Sequence, residues 1–372
     1  MKDDHYSIKR ILKEKADINI IFGERGNGKT YSVQDHLLDR FVKNGEECFI
    51  LRRWMEDVKP SNAMNFWDGK HVAKFRDRSG GRFRNIILKS NRYIAVDYDD
   101  KDKPIINEAN TIGYVWDLNE AERLKGQSFP NVTNIVFEEF ISLSQMGYLP
   151  EEVTFFLNVL STIIRDRTDV TVWMLGNTVN PYNPYFKYFG IKGLELKQGE
   201  IWTKTDSITG GKLAVEFCAQ RRKGSMKDTS AKYFSLGESD GAVDMILTGQ
   251  WQLPNYPLRK YHPTFSRKRM IILFDDHLLT FHLMIDERGR SYLYVKEDDP
   301  KMHIPEEMIV LDLQPSMKRN HYTAFQNLPS SDENRLIASL LSNRKIWYDS
   351  RLTGAYFNNF LAQSVMQLNR IK

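Results

Sequence analysis

The run Gly23-Glu24-Arg25-Gly26-Asn27-Gly28-Lys29-Thr30 has the spacing G-x4-G-K-[ST], whose chemistry is phosphate binding. Glycines let successive backbone N–H groups converge on phosphate oxygens, and a helix starting there adds the partial positive charge of its N-terminus. In such a loop Lys29 reaches the β- and γ-phosphates and Thr30 ligates Mg2+, so all eight residues are candidate ATP-binding positions. A phosphate loop only binds. Hydrolysis also needs a carboxylate that organises the metal and a group that activates water. Glu138 and Glu139, closing the apolar run Asn134–Phe140, are the candidates: Glu138 for the metal, Glu139 as the base. Asp is the usual residue at the first of these positions, and Glu138 is one methylene longer. Asn177 closes a second apolar run, Val170–Asn177, and is a candidate γ-phosphate sensor. Arg165 and Arg167 follow a helical pattern, where arginines serve either as solvated partners of the helix dipole or as fingers offered to a neighbouring copy's nucleotide.

These residues need a scaffold that brings them to one edge. "INIIF" (Ile18–Phe22) is short, β-branched and stopped by Gly23, the pattern of a strand buried on both faces. Val33, Leu37, Leu38 and Phe41 recur at helical spacing and Gly45 supplies a stop. "CFILRR" (Cys48–Arg53) then completes a βαβ unit. "FRNIIL" and "YIAVDY" around "KSN" predict a hairpin at a sheet edge, and "IGYVWDL" a further strand. "NIVFEEF", the amphipathic "EEVTFFLNVLSTIIRDR" and "VTVWMLGN" continue the alternation. Strands alternating with helices over about 190 residues predict a doubly wound α/β domain. It is assigned residues 1–214. Residues 215–266, with "QRRKGSMKD" and "LPNYPLRKYHP", read as a linker or small subdomain. Residues 267–372 open with three strands, "RMIILF", "LLTFHLMI" and "SYLYVKE", an antiparallel meander followed by helical patterns.

Composition narrows the class. The chain has 372 residues, 41% hydrophobic and 27% charged, with a net charge of +5, as for an ordinary globular protein of about two domains. The charge is mild, so any basic surface must come from local clusters. Cys48 and Cys218 are the only two cysteines, which fits a reducing compartment and predicts cytoplasmic residence. "MKDDHYSIKRILKEKAD" has no apolar leader core, and no apolar run approaches a membrane span. Neither secretion nor membrane insertion is expected.

"FGERGNGKT", "FPNVTNIVFEEF", "IIRDR" and "LGNTVNPYNPYF", in this order and spacing, resemble the genome-packaging (DNA encapsidation) ATPases of small phi-29-like podophages, relatives of the large terminases. The likeness extends more weakly through "ERLKGQ", "QRRKG" and "IWYDSRLTGAYFNNFLAQSV", and Arg25 matches an arginine such ATPases carry in the loop. The resemblance implies an additional-strand (ASCE) P-loop fold and an ATP-driven motor, with ATP and Mg2+ as cofactors. It further implies a homomeric ring, a pentamer, at the portal of a prohead in the host cytoplasm, moving double-stranded DNA inward. Arg165 would act in trans on the next subunit's nucleotide. The portal protein and a prohead RNA are implied partners. DNA contacts would fall on Arg123 and Lys125, with Gln127 beside them, and on Arg221, Arg222 and Lys223. The departure is Glu138 in place of Asp, which bears on metal geometry.

Large terminases carry an RNase H-like nuclease after the ATPase, and the meander suits that fold. A two-metal nuclease needs carboxylates converging on ions about 4 Å apart. Asp275, Asp276 and Asp286 fall in turn signals and Asp349 precedes the last helix, so turn chemistry accounts for the first three. The expectation is a degenerate, non-cleaving domain. The alternatives are an active terminase-like nuclease, or a nucleotide-dependent assembly factor without turnover.

Overall fold

The computed structural model describes residues 6–370 other than 68, 125, 143–146, 150, 179–180, 194, 219–255 and 315. It divides into two compact units, one holding the described residues 6–218 and the other 256–370.

The first unit is built on β1 (Ile18–Gly23), β2 (Glu47–Arg52), β3 (Asn85–Lys89), β4 (Arg92–Tyr98), β5 (Pro104–Ile105), β6 (Thr111–Asp117), β7 (Val132–Glu138), β8 (Thr171–Asn177), β9 (Ile201–Thr205) and β10 (Lys212–Phe217). Their order is β3-β4-β6-β2-β7-β8-β1-β10-β9, with β5 paired to β4. The central six, β6 to β10 along that order, are mutually parallel. The hairpin β3–β4 joins antiparallel at one edge and β9 at the other. β8 stands between the phosphate-loop strand β1 and the glutamate strand β7, the additional strand of the ASCE arrangement.

Strict alternation sorts each strand's side chains between two cores. Ile21, Cys48, Ile50, Val136, Trp173 and Leu175 face the helix Lys29–Asn44 (α1) together with Phe75 of the helix Gly69–Arg78; Phe22, Phe49, Phe137 and Met174 face the helices Glu152–Ile164 and Pro184–Phe189. Burying one such aromatic or aliphatic side chain contributes about 1.5–3 kcal/mol, and both layers are needed because parallel strands cannot leave a face in water. Helix α1 ends where expected, on Gly45 at φ 70°, whose N–H donates to Phe41 O at 2.8 Å.

Two features differ from the sequence reading. β10 runs across the position assigned to the start of the linker: the sheet continues to Phe217, and the N–H of Cys218 donates to Phe22 O at 2.8 Å. The paired glutamates do not both end a strand. Glu138 is the last residue of β7, while Glu139 already has a left-handed backbone at φ 53°.

The second unit holds β11 (Ser266–Phe274), β12 (His277–Ile285), β13 (Ser291–Asp298), β14 (Val310–Asp312), β15 (His321–Tyr322) and β16 (Ile346–Tyr348), in the order β15-β14-β11-β12-β13-β16. The predicted meander β11–β12–β13 is antiparallel; β14 and β15 extend it in parallel beyond β11, and β16 beyond β13. The helices Asp332–Ser342 and Arg351–Arg370 follow. Among the described residues no helix is long and apolar enough to cross a membrane.

Candidate nucleotide site

Gly28 adopts φ 94°, a left-handed conformation that side chains resist, and caps α1. The chain thereby turns from β1 into the helix so that the loop's amides precede the helix N-terminus, the geometry that anions favour. Lys29 is buried, 6% exposed. Its Nζ donates to Glu24 O at 2.7 Å and to Gly23 O, Asn27 Oδ1 and Asn177 Oδ1 at 3.3 Å each. Burial pushes its pKa down to about 8. Asn27 Oδ1 also accepts the Lys29 N–H at 3.2 Å. Arg25 and Gly26 lie exposed at the loop's tip.

Asn177 reaches Lys29 because β8 pairs with β1 in register, Gly23 opposite Asn177. Glu138, at the end of β7, is opposite Leu175 of β8 and, two residues after Val136, projects to the α1 face. There it hydrogen-bonds the Thr30 side chain. Arg52, at the end of β2, approaches its Oε2 to 2.6 Å. That oxygen is buried, and among the described residues no hydrogen-bond donor is aligned on it. Burial raises the pKa of Glu138, and the Arg52 charge and the Thr30 hydrogen bond act against that rise. A buried carboxylate beside a threonine hydroxyl is a pair of hard oxygens of the kind that suits Mg2+, with Arg52 in ion-pair contact favouring its ionised form.

The sequence reading missed what lies behind Glu139. Arg52 and Arg53 are adjacent at a strand end and point to opposite faces. Arg53 Nε and Nη2 grip the Glu152 carboxylate at 2.8 and 2.9 Å, and the same guanidinium donates to Glu139 O at 3.1 Å and Phe140 O at 2.7 Å. Tyr185 OH and the Leu149 N–H both donate to Glu152 at 2.8 Å. The turn that carries Glu139 is thus fixed through its carbonyls, while the Glu139 side chain is exposed. A double arginine closing an apolar strand toward the loop was the available signal.

Arg165 lies just past the helix Glu152–Ile164 with φ 52°. It is exposed, and its Nη2 donates to Gln127 O at 2.6 Å. Arg167 donates to Pro130 O at 2.9 Å. Neither joins the Lys29–Glu138 group within this chain. Arg123 is exposed and pairs with Glu120 at 2.8 Å; Lys125, Arg221, Arg222 and Lys223 lie outside the described residues.

A family model described as "Podovirus DNA encapsidation protein (Gp16)" matches residues 1–228. The DNA packaging proteins of Bacillus phages phi29 and PZA are each 29% identical over 182 residues, 48% of this chain and 48% of theirs. That of Bacillus phage B103 is 29% identical over 169 residues, 44% of this chain and 46% of its own. The chain spans about half the length of the curated relatives it matches. Two solved structures match nearly end to end. The Phi-28 gp11 DNA packaging motor has a TM-score of 0.54 at 19% identity, covering 98% of both chains. The bacteriophage Phi-29 viral genome packaging motor assembly has a TM-score of 0.57 at 20% identity, covering 96% of this chain and 99% of that one. At that identity they show a common fold.

Proposed function

Because the chain belongs to the podovirus DNA encapsidation (Gp16) family, we propose that it is an ATPase whose hydrolysis drives double-stranded DNA into a preformed prohead. The observation that carries this is the convergence of Lys29, Asn177, Thr30 and Glu138 at the end of β1 and its neighbours. Gly23 to Thr30 bind the phosphates of ATP, with Lys29 as the cation. Thr30 and Glu138 hold Mg2+, which when bound neutralises phosphate charge. Glu139 takes a proton from the attacking water, and Asn177 ties the state of the γ-phosphate to β8. Arg165 acts in trans in a homomeric ring of five at the portal, in the host cytoplasm, with a prohead RNA as a further partner. Arg123, Lys125, Arg221, Arg222 and Lys223 neutralise DNA phosphates without reading sequence. The domain division is that of the sequence reading, with the ATPase unit extended through β10.

The second unit binds without cutting. Two carboxylates that a nuclease would recruit are engaged in local structure. Asp286 accepts the Arg288 and Arg290 N–H groups at 3.0 and 2.8 Å, and Asp349 accepts the Glu297 N–H at 3.1 Å. Beside Asp312 on β14, the facing residue of β11 is Leu273. Plasmid nicking with Mn2+ that Asp349→Ala abolishes would overturn this.

Phosphate release by the purified chain, with and without double-stranded DNA, tests the main reading. DNA-stimulated release that Lys29→Ala abolishes is expected. ATP binding without release would favour an assembly factor.

A further inference from the structure

Glu216 is a carboxylate in the core of the sheet, 1% exposed, opposite Ile21 of β1 and two residues from the end of that strand. A buried charge persists only when it is paired, and among the described residues the partners of Glu216 are Tyr6 and Arg10, which precede β1. Tyr6 OH donates to its Oε2 at 2.7 Å, and Arg10 Nη1 lies 3.7 Å from its Oε1. Replacing every member of such a buried group by well-packed apolar residues is often neutral or stabilising. The consequence of the pairing is therefore the place where it holds residues 6–10.

That place is the phosphate loop. The Tyr6 N–H donates to Asn27 O at 2.9 Å. The Ile8 N–H donates to Ser32 Oγ, in the first turns of α1, at 3.1 Å. Asn27 is the residue whose side chain accepts both the backbone N–H and the Nζ of Lys29. Ile8 and Ile11 are buried and anchor the segment. From the other side, Cys218 closes on the loop's base so tightly that a Cβ on Gly23 would lie 2.9 Å from its own.

We infer that Tyr6 and Glu216 are positioning residues for the nucleotide: their hydrogen bond braces Asn27, and through it Lys29, in the phosphate-binding arrangement. This rests on the reading of Gly23–Thr30 as the ATP site. Neither residue is placed at the reacting atoms, so the brace acts on binding shared by ground and transition states and appears in KM.

Tyr6→Phe removes one hydroxyl and keeps the ring. KM for ATP rises about tenfold, about 1.4 kcal/mol, the low end for a hydrogen bond to a charged group, and kcat stays within about twofold. Glu216→Gln retains an acceptor oxygen for the Tyr6 hydroxyl, so its KM rises less than that of Glu216→Leu. The two are compared where thermal unfolding shows both folded; otherwise Tyr6→Phe alone decides. An unchanged KM in Tyr6→Phe, a kcat loss in place of the KM change, or equal KM in folded Glu216→Gln and Glu216→Leu overturns the brace. Turnover that survives Lys29→Ala overturns the site reading itself, so the two failures are distinguishable.

Discussion

Replacing Glu152 by alanine tests the scaffold behind the glutamate turn. Glu152 is 2% exposed and Arg53 6%. The substitution removes a two-point contact to Arg53 at 2.8 and 2.9 Å. It also removes the acceptor of Tyr185 OH and the Leu149 N–H. The guanidinium stays buried, keeping among the described residues the Glu139 and Phe140 carbonyls as acceptors and the Tyr148 and Phe137 rings beside it, with no carboxylate partner. Removing one member of a buried ion pair costs about 3–5 kcal/mol. For a unit of this size each kcal/mol lowers Tm by about 2–4 °C, so the midpoint should fall by roughly 6–20 °C. Differential scanning calorimetry reads this directly. The double variant Arg53→Met/Glu152→Met should fall by less than the sum of its single variants, because no lone charge remains buried. It should still unfold below wild type, because the Glu139 and Phe140 carbonyls, the Leu149 N–H and Tyr185 OH lose their partners. A loss under about 1 kcal/mol in Glu152→Ala, against the range for a buried pair, or full stability in the double variant, would refute the reasoning.

Burial lowers the Lys29 pKa to about 8, so its charge is lost as pH rises through that value. The kcat/KM for ATP, which reports free-enzyme groups, should be level below about pH 7 and decline above about pH 8; a level profile through about pH 9.5 would contradict the assignment. Glu139→Gln should lower kcat by about 10²–10⁴-fold while ATP still binds in isothermal titration, and an unchanged kcat would remove Glu139 from the base role. Subunits carrying Arg165→Ala, mixed with Glu139→Gln subunits, should regain turnover that each lacks alone. Absence of rescue at every ratio would count against a finger in trans.

Legibility in the sequence followed the strength of the local pattern. β1, α1, β7 and β8 were readable because apolar runs of that length stop at residues with turn or cap chemistry. β10 was not: "KLAVEF" follows the Gly210-Gly211 turn, and Glu216 interrupts its apolar alternation with a charge whose partners, Tyr6 and Arg10, lie about 200 residues away in sequence. The helix Gly69–Arg78 escaped because only His71 and Phe75 in it are buried, too few positions for a helical period. β14 and β16 are three residues each, below the length at which alternation is visible. In the candidate site, Lys29, Thr30, Glu138 and Asn177 could be singled out because the chemistry of phosphate binding fixes their spacing and strand-end positions, and the structure brings Lys29 to Asn177 and Glu138 to Thr30. Arg53 and Glu152 were missed because their pairing spans strands and helix, and "EEV" opening an amphipathic helix reads as solvated acids. The left-handed turn at Glu139 has no signature in residue type, since glutamate seldom adopts it.

The central claim is that nucleotide turnover at Gly23–Thr30 moves DNA. Protection of double-stranded DNA from nuclease by empty proheads, mixed with this chain and ATP, tests it most directly. Protection that requires ATP and is lost with Lys29→Ala and Glu139→Gln is the predicted result. DNA protected equally by the Glu139→Gln chain, or without ATP, would contradict it.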